Sequence, residues 1–227
     1  MGAPARSPRP VDAAALILVD RAGPEPRVLM GRRHDRHTFM PSLWAFPGGR
    51  VDPPDARAWT WATFSDRDQA LLMHRMTRPT RRKAHALGVA ALRETLEETG
   101  LAVGRRCAMT LEQRKCWPFH GRAGLAPSLE ALHLVARAVT PPGHSRRYDC
   151  RFFMAETPGV RVEMAAPPSG ELEHVDWVPL SRLARLDLPT ITRKVLADVD
   201  ARLRGASTCP IPFHYMRGKT FRRDVIR

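Results

Sequence analysis

The sequence has no apolar run long enough to cross a membrane. Its longest, Ala13–Val19, has the length of a strand, against the roughly 18 residues a spanning helix needs. The four cysteines, Cys107, Cys116, Cys150 and Cys209, are widely spaced, with no C-x-x-C pair and no Cys/His cluster. That argues against a disulfide scaffold or a zinc site and fits reduced thiols in the cytosol. Aromatic residues make up only 7% and form no ladder with basic residues, so nothing suggests stacking on single strands of nucleic acid. The N-terminus, MGAPARSPRPVD, lacks the apolar core of a signal peptide. The expectation is a cytoplasmic protein with a flexible arm over residues 1–11.

At 43% hydrophobic residues over 227 positions, the chain has enough apolar material for one substantial domain plus an appendage. Its 37 basic and 23 acidic residues leave a net charge of +14. Such a balance attracts polyanions, and a phosphorylated small molecule or nucleic acid would both answer to it. The plainer reading is an arginine-rich solvated surface, so nucleic acid is not favoured.

Strand patterns cover Ala13–Asp20, Arg27–Arg33, Leu132–Val139, Arg151–Ala155 and Val175–Pro179. Phe39–Gly49 reads as loop passing into strand, and Asp52–Asp55 as a turn. Helical patterns cover Asp66–Met76, Lys83–Thr99, Ser181–Leu186 and Ile191–Leu203, and Gly205–Arg227 reads as a basic tail. Strands mixed irregularly with a few helices predict an α/β (α+β) protein rather than a regular βαβ array. The expected organisation is a domain over 12–180, with 181–227 as C-terminal helices and tail.

The most informative stretch is Arg93-Glu94-Thr95-Leu96-Glu97-Glu98-Thr99-Gly100-Leu101. Glu94, Glu97 and Glu98 stand at i, i+3 and i+4 and converge on one helix face, while Val89, Leu92 and Leu96 fall opposite, ready to pack on a sheet. A bare E-x-x-E-E is commonly just a solvated acidic face. Here it is bracketed by Arg93 and Gly100 and preceded by Phe46-Pro47-Gly48-Gly49, whose glycines allow close backbone approach. Three like charges on a packed helix call for a cation among them, and hard oxygen donors suit Mg²⁺ or Mn²⁺.

These residues resemble the Nudix box, G-x5-E-x7-R-E-U-x-E-E-x-G-U, where U is a bulky aliphatic. Arg93–Leu101 supplies the second half, Gly49 opens the first, and Asp55 stands where the box has glutamate. Two departures are plain: 37 residues separate Asp55 from Arg93 instead of seven, an insertion of 30, and Thr95 replaces an aliphatic. Loop-closure entropy grows slowly with length, so an insertion before the helix is tolerable. The resemblance implies a three-layer α/β/α Nudix sandwich with a mixed central sheet, a helical insertion at about 56–82 and a C-terminal helical extension. It implies hydrolysis of a nucleoside diphosphate derivative, with Glu94, Glu97, Glu98 and the Gly48 carbonyl as metal ligands. Arg93 would orient a glutamate by a charge-assisted hydrogen bond. Glu97 or Glu98, or an external carboxylate at Glu171 or Glu173, would accept the proton of the attacking water.

Val28–Arg33, Phe46–Gly49 and the long spacer are similar to the acyl-coenzyme A diphosphatase branch. Leu29, Arg33 and F-P-G-G agree with its coenzyme A signature, L-L-T-x-R-S/A-x3-R-x3-G-x3-F-P-G-G, whereas Gly31, His34, Thr38 and Ser42 depart from it. Arg32, Arg33 and Phe46 are the substrate-binding candidates on this resemblance, with Arg78, Arg81 and Arg82 as further phosphate-gripping arginines. ADP-ribose, nucleotide sugars, dinucleoside polyphosphates and capped RNA are the alternative substrates. A nucleotide or nucleic-acid binding module with weak catalysis is the alternative of another class, although all three box glutamates are kept.

Overall fold

The computed structural model describes residues 7–36, 40–157, 159–166, 168–205 and 210–227. Thr38, Phe39 and Cys209 lie outside the described residues. In chain order the elements begin with strands β1 (Val11–Asp20), β2 (Arg27–Arg33), β3 (Trp44–Ala45) and β4 (Gly48–Arg50). A 3₁₀ turn at Pro53–Arg57 leads to helices α1 (Asp66–Met73) and α2 (Arg81–Thr99), then β5 (Leu101–Arg106), α3 (Leu111–Cys116) and α4 (Pro118–Ala123). There follow β6 (Leu125–Ala126), β7 (His133–Val139), β8 (Tyr148–Thr157), β9 (Arg161–Met164) and β10 (Leu172–Pro179). A second 3₁₀ turn (Leu180–Arg185), α5 (Thr190–Leu203), β11 (Ile211–Arg217) and β12 (Thr220–Ile226) complete the chain.

The main sheet runs β10-β2-β1-β8-β7-β11-β12, with β3 on β2 and β4 on β1. β1 pairs parallel with β8 and antiparallel with β2, so the sheet is mixed. A smaller sheet, β6-β5-β9, stands beside it. The apolar run in β1 explains the layering, because successive side chains point to opposite faces. Ala14, Leu16 and Leu18 face the core under α1 and α2, with Leu72, Leu87 and Leu92. Ala15, Ile17 and Val19 face the core under α5, with Val195, Leu196 and Val199. A strand covered on both faces reads as a continuous hydrophobic run. Leu16, Ile17 and Leu18 are wholly buried, each contributing roughly 2 kcal/mol of apolar transfer.

The stretch read as a basic tail does not trail from the domain. β11 and β12 form a hairpin turning on Gly218 (φ +61), and β11 lies parallel to β7 at Phe213 and His214. The two-residue Gly-Lys turn is a hairpin signal, hidden in the sequence by the density of arginine around it. β5, α3 and α4, which the sequence reading did not delineate, fill the interval between α2 and β6.

Candidate active site

α2 is capped at both ends by its own sequence. Thr80 accepts from the Lys83 N–H at 3.2 Å, and Gly100 at φ +75 closes the helix with its N–H on the Leu96 carbonyl, a conformation glycine adopts without strain. Val89 and Leu92 are buried against the sheet, and this docking turns Glu94 and Glu98 toward β4. Both carboxylates are largely buried, whereas the Glu97 side chain is 51% exposed.

Arg93 ties the surrounding segments together. Its Nε donates to Asp55 Oδ1 at 2.9 Å and its Nη2 to Asp55 Oδ2 at 3.1 Å and the Arg50 carbonyl at 3.0 Å. Its Nη1 donates to Glu94 Oε1 at 2.8 Å and Glu97 Oε2 at 3.1 Å. All five guanidinium N–H groups can thus be engaged. Burial opposes the charge on Arg93, but the hydrogen bonds and charges of Asp55 and Glu94 outweigh it and raise its pKa. Asp55, 2% exposed, also accepts the Asp52 N–H at 2.8 Å.

The glycine pair fits the carboxylates closely. The Gly48 N–H donates to Glu98 Oε2 at 2.8 Å. A Cβ on Gly49 would stand 2.4 Å from the Glu94 carboxyl, and one on Gly48 would strike the Ala14 carbonyl oxygen at 2.4 Å. Burial pushes the Glu98 pKa up to about 8, with the Glu94 charge adding to the rise and the Gly48 N–H opposing it. Burial likewise raises Glu94, against the pull of Arg93. Among the described residues no three His, Cys, Asp or Glu side chains form a closed metal cage. The fit to a cation rests on the donor set: two buried carboxylates that repel each other, a cost a hard divalent ion would relieve.

The remaining candidates separate. Arg33 lies in the field of Glu98 and Glu171; burial lowers its pKa against their pull. Arg32, the next residue along β2, points elsewhere, to the Ser42 carbonyl at 3.2 Å and Asp35 at 3.4 Å. Phe46 is 4% exposed and packs edge-on against Phe152 in the core beneath α5. It was expected to bind substrate; the structure places its ring in the core. Glu171 acts on both Glu94 and Glu98 electrostatically. Its loop is pinned to the end of α2 by the Ser169 N–H on the Glu97 carbonyl at 2.6 Å. Glu173 instead faces His34 Nε2 at 3.3 Å. The ladder between β10 and β2 shifts register after Glu173, where His174 has φ +50, a bulge beside the site. Asp52 and His34 were missed by sequence reasoning; nothing in their local pattern marks them.

The three-layer α/β/α sandwich thus holds a carboxylate-bearing helix over a glycine pair. The NUDIX domain family matches residues 8–199, and the chain therefore belongs to the Nudix family. A solved Nudix hydrolase from Alicyclobacillus acidocaldarius is 28% identical with a TM-score of 0.57, covering 83% of this chain and 90% of that one. The mutator MutT protein from Bacillus halodurans is 13% identical with a TM-score of 0.48, covering 94% and 97%. The Nudix domain of Shewanella oneidensis NrtR, solved with ADP-ribose, is 12% identical with a TM-score of 0.46, covering 86% and 90%. No curated protein matches the chain. Membership makes the chain an enzyme, a metal-dependent pyrophosphohydrolase of nucleoside diphosphate derivatives. No helix among the described residues is long and apolar enough to cross a membrane.

Proposed function

We propose that the chain cleaves the diphosphate linkage of coenzyme A or acyl-coenzyme A, using Mg²⁺ or Mn²⁺ held by Glu94, Glu97, Glu98 and the Gly48 carbonyl. The observation that carries the reading is the bidentate Arg93–Asp55 pair, which joins segments 38 positions apart and fixes Glu94 beside Gly49. The bound ion would offset charge on the phosphoryl oxygens and acidify a water. Water adds across one P–O bond of the diphosphate, its oxygen joining phosphorus and one proton passing to a carboxylate. The bridging oxygen leaves with the other phosphate. We assign the proton to Glu171 rather than Glu173; the electrostatic influence of Glu171 on Glu94 and Glu98, and the pairing of Glu173 with His34, support that choice. Arg33 would meet the phosphates.

Coenzyme A is favoured over the alternatives by the partial signature at Leu29, Arg33 and Phe46–Gly49. The test is incubation with Mg²⁺ and either coenzyme A or ADP-ribose, with products separated by chromatography. Release of 3′,5′-ADP and 4′-phosphopantetheine supports the reading; turnover of ADP-ribose alone overturns it.

A further inference from the structure

The guanidinium of Arg93 is taken up by Asp55, Glu94, Glu97 and the Arg50 carbonyl, so this cation has no donor left for a ligand. Arg50 is the opposite case. It ends β4, one residue after Gly49, and its carbonyl accepts from Arg93 Nη2 at 3.0 Å. Its own guanidinium faces a single carboxylate, with Nε 3.0 Å from Asp52 Oδ1. Among the described residues Asp52 is its only partner, and the side chain is 69% exposed. One carboxylate occupies at most one edge of the five-donor fork. The other edge is open to a ligand.

The anchor of this side chain is fixed from the site itself. The Asp52 N–H donates to Asp55 Oδ2 at 2.8 Å, and Asp55 accepts the Arg93 fork. Arg93 in turn holds Glu94, so a chain of contacts runs from the metal-site carboxylate to the residue that holds Arg50. Position agrees with this. Consecutive Cα atoms are about 3.8 Å apart, and a Cβ on Gly49 would stand 2.4 Å from the Glu94 carboxyl. Arg50 is thus rooted at the edge of the site, on the Glu94 side. Arg33 marks another side, in the field of Glu98 and Glu171. A diphosphate presents two anionic groups, and each arginine can meet one of them.

We propose that Arg50 is a further substrate-contacting residue, whose open guanidinium edge takes the phosphate lying toward Glu94 while Asp52 holds the side chain in place. The proposal rests on the diphosphate chemistry of the family and on neither the coenzyme A reading nor the choice of proton acceptor. A failed coenzyme A assay therefore overturns that reading and leaves this test untouched. The probe is α,β-methylene-ADP, a diphosphate that water cannot split at its bridge, titrated calorimetrically into the full chain with Mg²⁺ present. Arg50→Gln removes a charge-assisted hydrogen bond and should weaken binding about tenfold or more. An exposed ion pair adds little stability, so its melting curve should match the wild type. Arg161→Gln, on β9 of the smaller sheet, deletes the same charge elsewhere and should change the affinity less than about twofold. A tenfold loss confined to Arg50→Gln supports the contact. An unchanged Arg50→Gln affinity, equal losses in the two variants, or no binding of the probe to the wild type each overturns it.

Discussion

Arg93 and Asp55 meet in a two-pronged ion pair, Nε to Oδ1 at 2.9 Å and Nη2 to Oδ2 at 3.1 Å, although 38 positions of chain separate them. Asp55 is 2% exposed, and removing its carboxylate leaves the guanidinium half-buried with two donors unmatched. Breaking a buried pair on one side costs about 3 kcal/mol. Asp55→Ala should lower unfolding free energy in urea by about that amount. Because the freed guanidinium no longer fixes Glu94 and Glu97, kcat should fall as well, on the order of tenfold or more. Unchanged stability would show that the pair does not hold the site together.

The two glycines beside the acidic face should fail differently. A Cβ on Gly49 meets only the far end of the Glu94 side chain, whereas a Cβ on Gly48 meets the backbone of Ala14 and Ala15. Gly49→Ala should therefore fold with nearly the wild-type melting temperature but displace the Glu94 carboxyl, dropping metal-dependent turnover about a hundredfold. Gly48→Ala should instead separate β4 from β1 and lower the melting temperature by several degrees. Paired melting curves and rate measurements check both.

The chemistry-bearing helix was legible because its signals are local. The acidic i, i+3, i+4 spacing, the apolar positions opposite and Gly100 at the cap all lie within two or three turns. β2 was legible to its end residues for the same reason, set between Pro26 and the loop after Arg33. What a strand's residues face is a tertiary matter. Arg32 and Arg33 are neighbours in sequence, and the period of two sends them to different surroundings, so both could not reach one site. Phe46 stands two residues before Gly48, yet its ring joins the core under α5. The closing hairpin was hidden because β12 is rich in charge and few of its residues, Ile226 among them, join the core, while Ile211, Phe213 and Tyr215 of β11 pack there.

The first helix after the Asp55 turn is joined to the sheet by a titrating pair. Asp68 accepts from the Leu134 N–H at 3.1 Å and the Ser65 hydroxyl at 2.8 Å, and lies 3.1 Å from His133 Nδ1. Burial of Asp68 is outweighed by its hydrogen bonds from His133 and Ser65, so its pKa falls below 3.8; the hydrogen bond to Asp68 raises His133 above 6.5. A raised histidine stabilises fully below its unfolded value and loses that contribution as pH climbs through the folded value. A lowered aspartate stabilises above its unfolded value and loses it as pH falls. Both contributions are complete between about pH 4 and 6.5. The stability difference between wild type and His133→Gln should be largest near pH 5 and shrink as pH rises above the ordinary histidine value, read from urea midpoints across that range.

The hairpin is clasped to the same region by Arg75, whose guanidinium lies 2.6 Å from Asp224 and 5.0 Å from the centre of the Phe213 ring. Tyr215 donates its hydroxyl to the same Asp224 at 2.9 Å. The ion pair is partly exposed, so Arg75→Gln should cost no more than about 1 kcal/mol. Its loss should still appear as faster amide exchange in Phe213–Met216, and unchanged exchange there would show that pairing with β7 alone holds the hairpin.

Glu171 and Glu173 provide the sharpest separation of roles. They lie two residues apart at the start of β10, and a bulge follows at His174. His34 Nδ1 accepts the Arg36 N–H at 3.0 Å, which puts the proton of a neutral ring on Nε2, 3.3 Å from Glu173. Glu173 is thus occupied in holding the loop after β2. Glu171 is anchored through Ser169 to the last turn of α2 and acts electrostatically on Glu94 and Glu98. Glu171→Gln keeps shape and removes the proton acceptor, so kcat with Mg²⁺ should fall by about 10² or more with KM little changed. Glu173→Gln should alter KM more than kcat, through the loop it holds. Equal and small effects on kcat from both substitutions would return the proton-accepting role to Glu97 or Glu98 on the helix.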